Sequence, residues 1–554
     1  MRLLSIKTNI PELRKYKKPV THGRICIFDS ETDPFETGAT IKPFTCGFYD
    51  GEDYVDFWGD DCIDQFGRYM NTRRGERLLI YAHNLGGFDV HFLYDYFDSD
   101  IAPLVIGSRL AKVGIFGQEW RDSLKIIPIP LRDFQKDVFD YSKNKRAVRE
   151  DHKDEIRLYQ MHDCEYLYTL VSEFHATFGN RITIGNAAIN MLQSFYGFDR
   201  LSGRQDANIR DFYFGGRNQC FETGILNDDW KVYDVNSMYP SVMKNYQHPI
   251  GGILHNSKVI GDDTFFVELD AWNNGCLPIR GNGNDLDFTC KFGRFFATIH
   301  ELRAGLETGD VRIKKINRCI NIYAHTDFSE FVDHFYLARQ EAKANGDKVR
   351  DIFYKLILNT AYGKFSQNPE RYGDYFIGMP WEVPEDGMFH ATINPNGWKP
   401  KYDNGKRIIW ERDSHRDGGR RPNYFNVATG ASITGAARAE LYKGLRAADR
   451  PIYCDTDSII CRGLNARLSE NELGGWKLEA SGSRMGIAGK KLYALFDTNN
   501  NVIKKASKGA NLSGEDILRV ASGEVIRYKY EIPTFGLDGS VTYIERDIQR
   551  TGAI

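Results

Sequence analysis

Asp455-Thr-Asp457 sits between two short apolar runs, Pro451-Ile-Tyr-Cys454 and Ser458-Ile-Ile460, and this strand, acidic turn and strand limit the fold more than any other feature of the 554 residues. Two β-prone runs joined by so few polar residues read as a hairpin with carboxylates at its tip. Taken alone, Asp-x-Asp is most often a solvated surface turn. A second acid argues otherwise: Asp234 closes the run Lys231-Val-Tyr-Asp234, and Pro240 downstream predicts a sharp turn. Acids at the ends of separate strands are what a pair of Mg²⁺ ions ~3.5–4 Å apart requires when a nucleotidyl group is transferred.

A chain of this length exceeds what one hydrophobic core serves, so several domains are expected. With 42% apolar, 27% charged and 13% aromatic residues the composition is that of a folded globular protein. No run approaches the ~18 apolar residues of a membrane span. The segment Met1 to Lys18 lacks the apolar core and cleavage site of a secretory signal, which predicts a cytoplasmic protein. The ten cysteines form no C-x-x-C pair and read as reduced core residues, neither zinc ligands nor disulfides. A formal charge of −2 does not exclude a nucleic-acid partner, because placement of charge decides binding. Basic clusters lie at Arg14 to Lys18, Lys143 to Arg146, Arg416 to Arg421 and Lys490 to Lys508; each alone reads as a solvated face.

Residues 23 to 180 read as an α/β unit: short apolar strands such as Ile25-Cys-Ile-Phe28 and Leu78-Leu-Ile-Tyr81 end at polar loops, and a helix is expected over 152 to 176. Residues 327 to 364 read as a helical hairpin, with Asp327-x-x-Glu330 as a capping box and Asn345-Gly346 as the break. On the second helix Val349, Ile352, Phe353, Leu356 and Ile357 form an apolar stripe, with Lys348, Asp351, Lys355, Asn359 and Tyr362 opposite. Segments 366 to 424 and, more weakly, 261 to 326 look like insertions of short strands and turns.

A second set of acids occupies the first third: Asp29-Ser-Glu31 at the end of the Ile25 strand, Asp89 in His83-Asn-Leu-Gly-Gly-Phe-Asp89, and Asp163 in Tyr159-x-x-x-Asp163. Four carboxylates suffice to hold two Mg²⁺ ions around a phosphodiester. The four-residue spacing sets Tyr159 and Asp163 on one helical face, a tyrosine to orient water beside an acid for metal.

Asp234-x-x-Ser237-x-Tyr239-Pro240, Lys355-x-x-x-Asn359-x-x-Tyr362-Gly363 and Tyr453-x-Asp455-Thr-Asp457-Ser, in that order, resemble motifs A, B and C of family B DNA polymerases, and the first-third acids resemble the Exo I, II and III motifs of DnaQ-like 3′–5′ exonucleases. The resemblance implies an α/β multidomain chain: a ribonuclease H-like exonuclease domain (1–182), then a right-hand polymerase with palm (183–260 and 425–503), fingers (327–365) and thumb (504–554). Insertions at 261–326 and 366–424 resemble the two terminal protein regions of protein-primed phage polymerases. It further implies that Asp234, the Val235 carbonyl and Asp457 ligate two Mg²⁺, with Asp455 in support, and that Asp29, Glu31, Asp89 and Asp163 do so at the editing site; Mn²⁺ would substitute. Ser237, Tyr239, Lys355, Asn359, Tyr362 and Gly363 would meet the incoming nucleotide, with Arg339 a triphosphate candidate rivalled by Lys348 and Arg350. Tyr213-Phe-Gly215-Gly216-Arg217 resembles the Tyr-x-Gly-Gly motif that partitions primer between the two sites, and Lys491-Leu-Tyr493 the Lys-x-Tyr motif on the primer backbone. Asn84, Phe88, Ser123 and Leu124 would hold the single-stranded end, Lys136 would be the catalytic lysine of protein-primed members, and Tyr141 would assist.

Glu31-Thr-Asp-Pro34, Trp58-Gly-Asp-Asp-Cys62, Phe353-Tyr-Lys-Leu-Ile-Leu-Asn359 and Ala488-Gly-Lys-Lys-Leu-Tyr493 extend the resemblance to the tectivirus branch over nearly the whole chain. Expected partners are primer-template DNA, dNTPs, a terminal protein and a single-stranded DNA-binding protein, with no membrane. The expected state is a monomer, or a heterodimer with terminal protein, in a bacterial cytoplasm. Three alternatives stay open: a scaffold with dead sites, an exonuclease with a degenerate polymerase half, and the same chemistry with a nucleic-acid primer or none.

Overall fold

The computed structural model describes residues 23–33, 41–98, 101–107, 109–131, 139–252, 254–281, 285–367, 373–378, 398–403, 408–413, 426–530, 534–535 and 541–552. They divide into two compact units, one built from Met1–Ser194, Asn368–Arg420 and Ile532–Thr542, the other from Phe195–Gln367, Arg421–Glu531 and Tyr543–Ile554.

The first unit is organised by a seven-stranded mixed sheet, in the order Tyr54–Trp58, Pro43–Tyr49, Arg24–Thr32, Leu78–Ala82, Gln118–Asp122, Arg109–Ile115, Leu104–Ile106. Its centre is parallel: Leu78–Ala82 runs parallel to both Arg24–Thr32 and Gln118–Asp122. Covered on both faces, that strand is buried throughout, which is why it reads Leu-Leu-Ile-Tyr-Ala without alternation. Phe28, Phe48, Phe66 and Trp120 fill the core on the side of the helix Cys62–Thr72. The long helix, expected over 152 to 176, is Lys153–Phe178; it starts on Asp154 and Glu155, which suit the positive end of its dipole, and stops at Gly179 with φ +73°. The first strand differs from expectation. It continues through Asp29 and Glu31 to Thr32, with a bulge after Glu31, so alternation puts both acids on one face.

Of the segment 366 to 424, the described part is a three-stranded sheet, Gly373–Gly378, Ile408–Asp413 and Lys399–Asp403, assigned to the first unit. Ile377 and Ile409 are buried in the same core as Phe28 and Trp120.

The second unit centres on a seven-stranded antiparallel sheet, Val502–Ser507, Leu492–Phe496, Trp476–Gly489, Gly224–Val235, Ser458–Cys461, Tyr453–Asp455, Asn218–Cys220. The strand Val502–Ser507 belongs to this sheet, so the expected boundary at 504 falls inside it, and the helix Gly514–Ser522 that follows shares a core with Ala488, Ala494 and Phe496 of the same sheet. The helix Val427–Ala447 is buried along almost its whole length. Its small residues permit this: a Cβ on Gly435 would lie 2.2 Å from Thr298 Oγ1.

Segment 261–326 proves more regular than short strands and turns. Thr264–Asn273, Phe292–Thr298 and Val311–Asn321, with His255–Ser257, form a four-stranded antiparallel sheet. The helix Ile299–Glu307 backs it, started by a reciprocal capping box of Thr298 and Glu301. Turn-rich composition at 274 to 290 hid those long strands.

The helical hairpin is Ser329–Ala344 and Lys348–Phe365. The expected capping box at Asp327 is not formed; the helix begins at Ser329, whose N–H donates to Asp327 Oδ1 at 3.0 Å, while Glu330 N–H donates to Tyr196 Oη at 3.1 Å. Asn345-Gly346 does break the pair, and Asp347 caps the second helix through Arg350 N–H at 3.0 Å. The buried stripe there is Phe353, Ile357, Leu358, Ala361 and Phe365; Val349, Ile352 and Leu356 are half-buried at its border. Nine of the ten cysteines are buried and none forms a disulfide, as expected.

Candidate active sites

In the second unit the sheet register builds the polymerase-type site. Asp234 lies opposite Ser458, the residue that follows the acidic turn, and Val235 N–H donates to the Asp457 carbonyl at 2.8 Å. Asp234, on its strand, and Asp457, in the turn that leads into the neighbouring strand, are therefore held side by side. Burial, then the charges of Asp234 and Asp455, push the Asp457 carboxyl up to about 7. Burial also raises Asp234, opposed by the Lys477 ammonium 3.5 Å away. Asp455 is held by Lys491 Nζ at 2.6 Å and by the Tyr453 hydroxyl at 3.4 Å.

The turn is tightly cornered. Thr456 has φ +60°, and its N–H donates to the Arg217 carbonyl at 2.6 Å. A Cβ on Gly216 would meet Thr456 Oγ1 at 2.8 Å, so the second glycine of Tyr213-Phe-Gly-Gly is where the catalytic turn passes. Gly215 has open space beside it, and its carbonyl, with that of Phe214, accepts from Arg438 Nη1 at 2.7 and 2.6 Å. Arg438 is paired with Glu301 at 2.7 Å, both fully buried. Composition gave no signal for that pair.

The proline reading at Pro240 needs correction. The sharp turn is at Asn236-Ser237, with Ser237 at φ +57°, and Pro240 lies in the first turn of the helix Met238–Asn245, where its missing N–H costs nothing. That helix start brings Tyr239 face to face with Tyr362, centroids 3.9 Å apart and planes 14° from parallel. Lys355 and Gly363 are exposed and Asn359 is half-buried on the same helix as Tyr362. Arg339 is tied across the hairpin to Asp351 at 2.7 Å, which argues against a triphosphate role.

Two other assignments change. Arg217 is buried; its guanidinium donates to Gln219 Oε1 and the Gly275 carbonyl and lies over the Phe288 ring at 4.0 Å, so it braces the turn and has no surface for DNA. Tyr493 is also buried, packed on Tyr453 with ring centroids 5.1 Å apart, while Tyr213 is half-buried against the core around Phe212.

The first unit gathers the other four acids. Asp29 and Glu31 share a strand face, Asp89 opens a short 3₁₀ turn, and Asp163 comes from the helix Lys153–Phe178. Burial first, then the charges of Glu31, Asp163 and Asp89, hold Asp29 well above the carboxylate range. Burial and Asp163 push Glu31 up to about 8 against a hydrogen bond from Asn144 at 2.8 Å. Burial takes Asp89 to about 7, eased by the Ser30 hydroxyl at 2.6 Å. The sequence reading missed Gln160, which is fully buried, donates to Asp29 and lies beside Tyr159. A glutamine three residues before Asp163 on the same helix was its only signal in the sequence.

Tyr159 stacks on Phe139 at 4.3 Å and its hydroxyl is 3.0 Å from that of Tyr141. Asn84 has φ +65° and accepts from Arg109 Nη1 at 3.0 Å, and Phe88 packs edge-on against Phe92. Ser123 corrects another expectation. It is fully buried, its hydroxyl donating to the Ala82 carbonyl and facing His83 Nδ1 at 3.0 Å, so its side chain supports the His83-Asn84 turn from beneath. Leu124 remains half-buried, and its N–H donates to Asp122 at 3.0 Å. Lys136 lies outside the described residues.

Among the described residues no three His, Cys, Asp or Glu side chains are already drawn into a closed metal cage. Both clusters are nonetheless all-carboxylate and raise one another's pKa, a repulsion that a hard divalent cation relieves. The donor set fits such a cation.

The family sequence pattern described as DNA polymerase type B, organellar and viral, matches residues 119–383. The DNA-directed DNA polymerase of Enterobacteria phage PRD1 is 43% identical, over 97% of this chain and all of its own. The DNA polymerase of Bacillus phage phi29 is 22% identical over 83% of this chain and 85% of its own. A solved phi29 DNA polymerase, complexed with primer-template DNA and incoming nucleotide, superposes with TM-score 0.67 at 19% identity, over 96% of this chain and 100% of that one. The exonuclease-plus-right-hand fold is therefore present. The chain belongs to the viral type B DNA polymerases and is a replicative DNA-directed DNA polymerase of phage type.

Proposed function

We propose that this polymerase extends primer-template DNA with dNTPs by a two-Mg²⁺ mechanism, edits through a 3′–5′ exonuclease, and starts synthesis on a hydroxyl of a terminal protein. The observation that carries the first part is the lock between Val235 N–H and the Asp457 carbonyl, which fixes two half-buried carboxylates side by side, one near the end of a strand and one in the turn beside it. The ions, when bound, would lower the pKa of the attacking hydroxyl and neutralise the leaving pyrophosphate. Asp234 and Asp457 would hold them, Mn²⁺ serving as a substitute. Lys355, exposed on the helix that carries Tyr362, would reach the triphosphate, and Tyr239 against Tyr362 would fill the space a 2′-hydroxyl needs.

In the editing unit Asp29, Glu31, Asp89 and Asp163 would hold the metals, Tyr159 with Tyr141 would orient the attacking water, and Lys136 would stabilise the reacting phosphate. Asn84, Phe88 and Leu124 would receive the single-stranded end.

The reading of protein priming is supported by the insertion 261–326, a sheet and helix whose core is shared with Ala439 and Tyr442 of the helix Val427–Ala447, and by likeness along nearly the whole chain to the PRD1 enzyme. A single-stranded DNA-binding protein would cover displaced strand in the cytoplasm of a bacterial host. No helix among the described residues is long and apolar enough to cross a membrane. Incubating the enzyme with the terminal protein of its own genome, labelled dNTP and Mg²⁺ should label that protein. Absence of label across metals and templates, with DNA-primed extension intact, would reject protein priming and leave a nucleic-acid primer.

A further inference from the structure

The palm sheet places a lysine directly on a catalytic acid. Lys477, the second residue of Trp476–Gly489, is the register partner of Asp234, and opposite residues of an antiparallel pair share a face. Its ammonium is 3.5 Å from Asp234 Oδ1, with the two side chains 35% and 25% exposed. Across Asp234 the partner is Ser458, so a row of lysine, aspartate and serine runs over three strands. One acid further on, Lys491 holds Asp455 at 2.6 Å. Two ammonium groups thus face three clustered carboxylates, and Lys477 is the one set on an acid expected to ligate metal.

We infer that Lys477 is a built-in counter-ion of the polymerase metal site: it neutralises Asp234 until a divalent cation arrives with a nucleotide, and it keeps the nucleotide-free enzyme from binding that cation tightly. This rests on the reading of Asp234 and Asp457 as metal carboxylates. A fixed positive charge on the order of 6 Å from a divalent ion weakens its binding roughly three- to tenfold in a solvated, screened setting. A triphosphate brings negative charge that outweighs one ammonium, so the penalty falls on the free ion and not on the ion–nucleotide complex. The cation would then enter mainly as that complex.

The test is Mn²⁺ binding to the full chain, read by electron paramagnetic resonance of the unbound ion, without DNA or nucleotide. All proteins carry Asp29→Asn and Glu31→Gln to silence the editing site. Lys477→Met and Lys477→Gln should bind Mn²⁺ roughly three- to tenfold more tightly than the parent, and Lys477→Arg should stay within about twofold of it. Unchanged affinity in both neutral variants, with melting temperatures near the parent's, would overturn the counter-ion role. Asp234→Asn in the same background should abolish the measured binding. Mn²⁺ binding that survives Asp234→Asn would refute the metal reading itself, a failure distinct from that of Lys477.

Discussion

At the residue scale the chemistry depends on a few contacts that admit no substitute. Gly216 is one: any Cβ there would press on Thr456, whose φ of +60° already leaves the turn little freedom. Gly216→Ala should lower kcat for nucleotide incorporation on the order of tenfold to a hundredfold, because small misplacements of reacting groups are that costly. Its melting temperature should change little, and Thr456→Gly in the same background should restore part of the rate. Full activity in Gly216→Ala would show that the turn is not cornered as described. The motif was legible in the sequence as Tyr-x-Gly-Gly, but its reason was not, since the partner lies 240 residues further along the chain, a separation read from Gly216 to Thr456.

His248 offers a pH test at the same scale. Burial pushes its ring down to about 4, with Nε2 at 2.9 Å from the Val242 carbonyl and Nδ1 at 2.9 Å from Ser432 Oγ. An unfolded histidine titrates near ~6.5, so below that pH the unfolded chain takes up a proton the folded one refuses. This residue therefore makes stability fall as pH drops from ~6.5 toward about 4, by up to a few kcal/mol in all. Glu31 and Asp457, with raised folded pKa values, act in the opposite sense over the same range, so the difference between proteins isolates the histidine. His248→Phe should be less stable at pH 8, and the gap from the parent should narrow as pH falls to 5. A constant gap in urea unfolding would contradict the buried, neutral ring.

Elements were legible where their pattern was local. The acidic hairpin, the Asp234 strand, the long editing helix and the break at Asn345-Gly346 all follow from period and turn chemistry. Starts set by distant partners were not: the helix Ser329–Ala344 begins where Tyr196 receives Glu330 N–H, not at the capping box its sequence offers. The buried pair of Glu301 with Arg438 joins the helices Ile299–Glu307 and Val427–Ala447, and Arg438 holds the carbonyls of Phe214 and Gly215. Glu301→Gln should cost about 3–5 kcal/mol, the usual result of leaving a buried charge without its partner. A loss below about 1 kcal/mol in chemical denaturation would mean that Arg438 finds another acceptor.

For the whole molecule, order of motifs along the chain carried more than any single motif, because three polymerase signatures and three editing signatures share one sequence. What stayed hidden was that Asn368–Arg420, most of the segment 366–424, belongs to the first unit, where Ile377 and Ile409 complete the core around Phe28 and Trp120. If that segment closes around template, deleting residues 371 to 422 should abolish strand displacement while gap filling persists. Loss of the two isoleucines should also lower the melting temperature of the editing unit, and unchanged displacement would reject the role.

The most direct measurement compares both activities in two variants of the full chain, on the same primer-template DNA with Mg²⁺. Asp457→Ala should lose dNTP incorporation and keep 3′–5′ degradation, whereas Asp29→Ala with Glu31→Ala should lose degradation and keep incorporation. Loss of both activities in either variant, or incorporation that survives Asp457→Ala, would contradict two separate carboxylate sites.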